Sequence, residues 1–218
     1  MSITIPRSFY EDDTITVARD LLGQVLCRQT DDGVTAGIIV ETEAYCGKTD
    51  PAAHSYKGKT ERCRAMFGDS GCAYIFMIYG MYSCFNVTSG GADDPDAVLI
   101  RALEPTAGLD IMRTRRSCAK KRSVNLKSGR RLKLKDTELC NGPGKICTAM
   151  DITSAAYGAD LTNTKSGLWI EYGDTLSAEN IVSSKRINID YADESKDWLW
   201  RFTVKGSKYI SKSAKIEN

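Results

Sequence analysis

The sequence predicts a single α+β domain spanning its 218 residues, built on a mainly antiparallel, curved β-sheet with short helices around it and one protruding β-hairpin. Three observations predict it. Short β-prone runs recur between Gly, Pro, Asn and Asp turn signals. Helical spacing of apolar residues is confined to brief stretches with caps at their ends. No repeat, linker or low-complexity tract divides a chain whose length suits one large domain. Residues 1–8 and 213–218 read as terminal tails.

Taken in order, Asp13 is an N-cap before TITVARDLL, which puts Ile15, Ala18, Leu21 and Leu22 on one packing face and stops at Gly23. QVLCRQ and VTAGIIVETEAY flank Asp32-Gly33 and form a hairpin whose second strand ends near Tyr45. Residues 47–70 are polar and turn-rich, an excursion that a compact domain tolerates when it lines a site. CAYIFMIY and YSCFNVT pair across Gly80-Met81, where Gly at the first central position suits a type II′ turn. AVLIRALEP is another strand, and Pro105 with Thr106 opens a helix that runs into a basic stretch. NGPGKICTAMDI turns into a short helix, GLWIEY, RINID and LWRFTV are strands, and a polar tail begins at Ser207.

Composition narrows the chemistry. The 42% hydrophobic and 27% charged fractions are those of a globular chain. The longest apolar run is too short to span a membrane, and the N-terminus has no apolar signal region. An intracellular address follows, nuclear in a eukaryote or cytoplasmic in a bacterium. The eight cysteines form no C-x-x-C pair, so reduced thiols are expected. His54 is the sole histidine, which excludes zinc sites built on two or three of them; neither metal nor cofactor is expected. Residues 113–135 hold eleven Lys or Arg and no acid, leaving the remainder with 19 basic residues against 28 acidic. A basic block on an acidic body suits a polyanion, although a solvated loop has the same composition.

Alternation along the strand places Ile39, Glu41, Glu43 and Tyr45 on one face. The two acids are either the solvent face of a half-buried strand or a site, with Glu43, at the strand end, the better general base. Arg101 interrupts an apolar strand and demands an anionic partner, for which Glu43 is a candidate. His54, Tyr45 and Phe76 or Tyr74 can build a slot for a planar heteroaromatic, or can simply pack. Tyr79, at the hairpin tip, has little core to reach and suits a wedge that unstacks a base step. Asn86, polar in an apolar strand, either joins a core network or inspects a ligand. GPGK at residues 142–145 lacks P-loop spacing and reads as a turn whose N–H groups, with Lys145, meet one phosphate.

In order along residues 9–212, the runs IVETEAY, DPAAHS, YIFMIYGMYSCFNV, VLIRALEP, ELCNGPGKIC and WRFTVKGSKYISK resemble the eukaryotic-type alkyladenine (3-methyladenine) DNA glycosylases of base excision repair. The resemblance implies Glu43 as the base that deprotonates the attacking water, helped by Arg101. It implies Tyr45 and His54 as contacts to a flipped base, Tyr79 as the intercalating residue, and Asn86 as the pocket-floor group that rejects the 2-amino group of guanine. Arg62, Arg64 and Lys145 are similar to positions that touch the DNA backbone. Phe76 departs from the pattern, since vertebrate members carry a third tyrosine there. The implied partner is double-stranded DNA containing damaged purines, bound by a monomer, and no lysine is expected in the pocket for a Schiff base. A non-catalytic nucleic-acid-binding module would use the same aromatics and basic block. A carbohydrate glycosidase fits poorly, because Glu41 and Glu43 would lie about 7 Å apart and point in parallel.

Overall fold

A computed structural model describes residues 3–78, 80–91, 94–124 and 134–211. A one-turn helix α1 (Arg7–Tyr10) precedes α2 (Thr14–Asp20), whose Asp13 cap accepts from the Thr16 N–H at 3.0 Å. Residues 3–8 are not the tail expected of them. Ile5 is fully buried and bonds Ile170 through its N–H, and Arg7 reaches the Ser70 carbonyl. Residues 213–218 lie outside the described residues.

Strands β1 (Val25–Thr30) and β2 (Gly33–Tyr45) form the expected hairpin, with Thr30 opposite Gly33, so that the turn is Asp31-Asp32, one residue earlier than the D-G pair suggested. β3 (Ala73–Ile78) and β4 (Tyr82–Ser89) form the second hairpin. Ile78 pairs with Tyr82, and the Met81 N–H closes on the Ile78 carbonyl, so three residues connect the strands rather than two. Gly80, at φ +64°, takes the left-handed position of that connection.

β5 (Asp96–Ala107) runs past Pro105, where the sequence suggested that a helix opens; Pro105 still pairs with Gly37, and α3 (Leu109–Val124) begins only after Gly108. Gly108 makes that corner at φ +68°, and a Cβ there would lie 2.4 Å from the Val34 carbonyl oxygen, so no other residue fits without displacement. α4 (Pro143–Met150) starts on Pro143 as expected. β6 (Leu168–Glu171), β7 (Ile181–Ser184) and β8 (Arg201–Val204) complete the chain. RINID is not a strand: Asn188 adopts φ +62°, which breaks an extended run, and the pairing strand lies upstream as β7.

All strand pairs are antiparallel in one eight-stranded open sheet, ordered β3-β4-β5-β2-β1-β6, with β8 joining β2 and β7. β2 is its centre, bordered by β5 on one edge and by β1 and then β8 on the other. The main core gathers Tyr10, Leu21 and Leu22 beneath β2 with Phe85, Ile100, Met112 and Ile146 from β4, β5, α3 and α4. Each fully buried large side chain contributes roughly 1.5–3 kcal/mol of transfer free energy, enough to hold the strand ends rigid. No helix among the described residues is long and apolar enough to cross a membrane.

Candidate active site

The register of β2 against β5 slips on both sides of Glu41: Ile39 pairs with Leu103, Glu41 with Ala102 and Thr42 with Ile100. This double irregularity leaves Arg101 without an opposing residue in β2 and breaks the simple alternation read from the sequence, because Ile39 and Ala44, of opposite parity, both enter the main core. Glu41 and Glu43 are both fully buried, so neither belongs to a solvent face.

Arg101 joins the two acids. Its Nε donates to Glu41 Oε1 at 2.9 Å, its Nη1 to Glu43 Oε2 at 3.2 Å, and its Nη2 to Ser211 Oγ at 3.4 Å. Burial alone would weaken its basicity, but the carboxylates of Glu43 and Glu41 raise its pKa above the ordinary value. Glu43 also accepts from the Tyr45 hydroxyl at 2.8 Å on Oε2 and from the Ile187 N–H at 2.8 Å on Oε1. Glu41 accepts from Arg201 Nε at 2.8 Å and from both the N–H and the hydroxyl of Ser211, at 2.6 and 2.8 Å. Burial pushes the Glu41 carboxyl up, yet Arg101, the Ser211 N–H and Arg201 together pull it below the usual range.

In front of this cluster lies a cleft of about 970 Å³, walled by Tyr45, His54, Phe76, Asn86 and Arg101, with Lys145 on its α4 side. Glu43 stands one layer behind it, held by Tyr45, Arg101 and Ile187, which do line the cleft. The excursion at residues 47–70 supplies His54, whose ring meets Phe76 edge-on with centroids 4.5 Å apart and whose Nδ1 shares a 2.7 Å hydrogen bond with the Tyr74 hydroxyl. Burial and then the nearby Arg62 push the His54 pKa down to about 4, so its imidazole is neutral at neutral pH. Asn86 is buried and its Nδ2 donates to the Tyr74 carbonyl at 3.0 Å, which fixes the amide at the base of the same wall. These groups make one aromatic, mostly uncharged slot with a buried acid behind it.

The residues expected at a DNA backbone fall in different places. Arg62 lies over the Phe76 ring at 5.0 Å and lines the cleft itself. Arg64 pairs with Glu61 at 3.1 Å and lies over Tyr157. Lys145 donates to Asn141 Oδ1 at 2.6 Å, and its presence on the cleft wall corrects the expectation that no lysine borders the pocket. Tyr79 lies outside the described residues, as do 125–133 of the basic stretch.

Sequence reasoning missed several residues that hold the site. Arg186 and Asp50 are completely buried as an ion pair, with Nη2 to Oδ1 at 2.9 Å and Nη1 on Oδ2. The guanidinium lies over the Tyr45 ring at 4.7 Å and donates to the Ala44 carbonyl at 2.8 Å. Reading residues 186–190 as a strand hid this pair, since a strand would alternate its side chains. Ser211 belongs to the stretch taken as a polar tail, and only its hydrogen bonds to Glu41 show otherwise.

Among the described residues no three His, Cys, Asp or Glu side chains gather as a metal site. Residues 8–208 match the family model described as Methylpurine-DNA glycosylase (MPG). A protein of Clostridium novyi bearing the name "Putative 3-methyladenine DNA glycosylase" is 45% identical over 207 residues, 94% of this chain and 97% of its own length. Proteins of the same name from Methanocella arvoryzae and Desulfitobacterium hafniense are 45% identical over 210 residues and 43% over 206, covering 96% and 97% of their own lengths. With the match reaching across nearly the whole domain and through every strand of the cleft, the chain belongs to the methylpurine-DNA glycosylase family.

Proposed function

We propose that this chain is a monofunctional DNA glycosylase. It takes an alkylated purine, 3-methyladenine among them, or a deaminated one out of duplex DNA and hydrolyses its N-glycosidic bond with a water activated by Glu43, leaving an abasic site. It acts as a monomer, inside the cell. Family membership supports the reaction class, and one observation carries the mechanism: a fully buried carboxylate stands behind an aromatic cleft, oriented by Arg101, Tyr45 and the Ile187 N–H.

A base stacked in a duplex is out of reach, and extrusion costs a few kcal/mol, least for a damaged or mispaired nucleotide. The extruded purine enters the slot between Tyr45 and the His54–Phe76 wall, with Asn86 at its floor. Tyr79 fills the gap left in the stack and offsets part of the cost. Arg64, Lys145 and the basic stretch meet phosphates and supply sequence-independent affinity.

A carboxylate has about four acceptor positions, and three of those on Glu43 are taken, two on Oε2 and one on Oε1. The remaining position, on Oε1, is where the water is held and loses its proton as it attacks C1′. The bond to the purine breaks with its electron pair going to the base, and the positive charge that grows on the sugar is stabilised by the same buried acid. N-alkylated purines are already cationic and leave readily. Neutral His54 adds no positive charge to the slot that receives them.

The test is release of free 3-methyladenine from alkylated duplex DNA by the purified protein, with the strand left intact until alkali is added. Binding without release would identify a non-catalytic module, and strand cleavage without alkali would exclude a monofunctional enzyme.

A further inference from the structure

Arg101 reaches Glu43 through one N–H only, although a guanidinium facing a lone carboxylate favours a two-point contact. The reason is Glu41. Its Oε1 takes the Arg101 Nε, which turns the guanidinium and leaves Nη1 alone for Glu43. Glu41 is itself held from three other sides, by Arg201 of β8 and by the N–H and hydroxyl of Ser211, and is fully buried. The geometry points to Glu41 as a positioning residue: it keeps Arg101 from closing on both oxygens of Glu43 and so preserves the acceptor position on Oε1 and the basicity of that acid. This rests on Glu43 being the base.

The charges around the pair support the same conclusion. Facing it are Glu43 and Tyr45 on β2, Arg101 on β5, Arg201 on β8, Ser211 of the C-terminal segment and Arg186 of the loop before Ile187. Glu41 offsets one of three buried arginines, and Asp50 takes Arg186 as a separate pair. Without the charge of Glu41, Arg101 would keep Glu43 as its carboxylate partner. Arg101 would then swing into a bidentate contact with it, occupying Oε1 and weakening the base.

Glu41→Gln keeps the shape and removes the charge. On a duplex carrying a single 7-methylguanine, which is cationic and needs no protonation to leave, single-turnover excision should slow roughly tenfold or more. The acid limb of the pH–rate profile should move down, because the charge removed shares the Arg101 guanidinium with the base. Lesion affinity should stay within a few-fold of wild type. Should Glu41→Gln fail to fold, Ser211→Ala, which removes the hydroxyl that donates to Glu41 and accepts from Arg101 Nη2, should slow excision by less with the lesion still bound, and an unchanged rate overturns the positioning role. An unshifted limb in the folded variant, with Glu43→Gln inactive, overturns the positioning role and leaves Glu43 as the base. An active Glu43→Gln enzyme overturns the reading of Glu43, and the role of Glu41 with it.

Discussion

Asp50→Asn tests whether the slot is held from behind. Asp50 and Arg186 have no exposed side-chain surface, and the guanidinium also bonds the Ala44 and Ser195 carbonyls and lies over Tyr45 and Trp200. Replacing the carboxylate with an amide leaves a buried cation facing an NH2 group or a single carbonyl. Breaking a buried ion pair by removing one partner costs about 3–5 kcal/mol. In a domain of this size, with 2–4 °C of Tm lost for each kcal/mol, that is a fall of roughly 6–20 °C. Thermal unfolding followed by circular dichroism measures it, and lesion binding at a permissive temperature should weaken in parallel because the guanidinium over the Tyr45 ring loses the carboxylate that fixes it. Replacing both partners, Asp50→Leu with Arg186→Met, should recover a good part of the loss, since an apolar pair has no charge to desolvate. A loss below about 1 kcal/mol, the range of an exposed pair, would refute the reasoning.

Three other outcomes are expected. Because the folded-state pKa of His54 is lowered from 6.5 to about 4, its neutral form favours the fold. That stability is complete above the unfolded value and declines as pH falls from about 6.5 toward 4. After discounting for residual solvent screening the loss reaches about 2 kcal/mol at pH 4, and urea midpoints at pH 7 and pH 4 should differ by less in His54→Gln than in wild type. Tyr79→Ala should reduce flipping, read as a smaller signal from a fluorescent base at the lesion; an unchanged signal would remove the wedge role. Lys145→Ala should weaken DNA binding evenly across sequences and lower the salt slope by about one counterion, whereas an unchanged slope would place Lys145 away from the phosphates.

The parts of the fold legible in the sequence are those encoded within a few residues. The Asp13 cap, the two hairpins and the Pro143 helix start are set by local chemistry. Pro105 misled because a proline is as compatible with the end of a strand as with the start of a helix, and the choice fell to Gly108 and its close approach to Val34. RINID misled because its apolar alternation belongs to a loop whose Arg186 turns inward to Asp50, 136 residues away in sequence.

The site divides along the same line. Arg101 demanded an anion and the structure supplies two, but that Glu41 shares it with Glu43 depends on register slips that no spacing announces. Ser211 shows the limit most plainly, since a serine in a polar terminal stretch carries no local mark of the buried carboxylate it bonds. The structure brings Arg101, Tyr45, His54, Phe76 and Asn86 to one cleft with Glu43 held a layer behind them, whereas their roles in catalysis and recognition are what the experiments address.

The most direct test is single-turnover excision of 3-methyladenine or 7-methylguanine by Glu43→Gln alongside its affinity for the same lesion duplex. If the buried acid activates the water, excision falls by about 10²–10⁴-fold, the usual contribution of a positioned general base, while the lesion is still bound. Excision near the wild-type rate by a folded Glu43→Gln protein would contradict it.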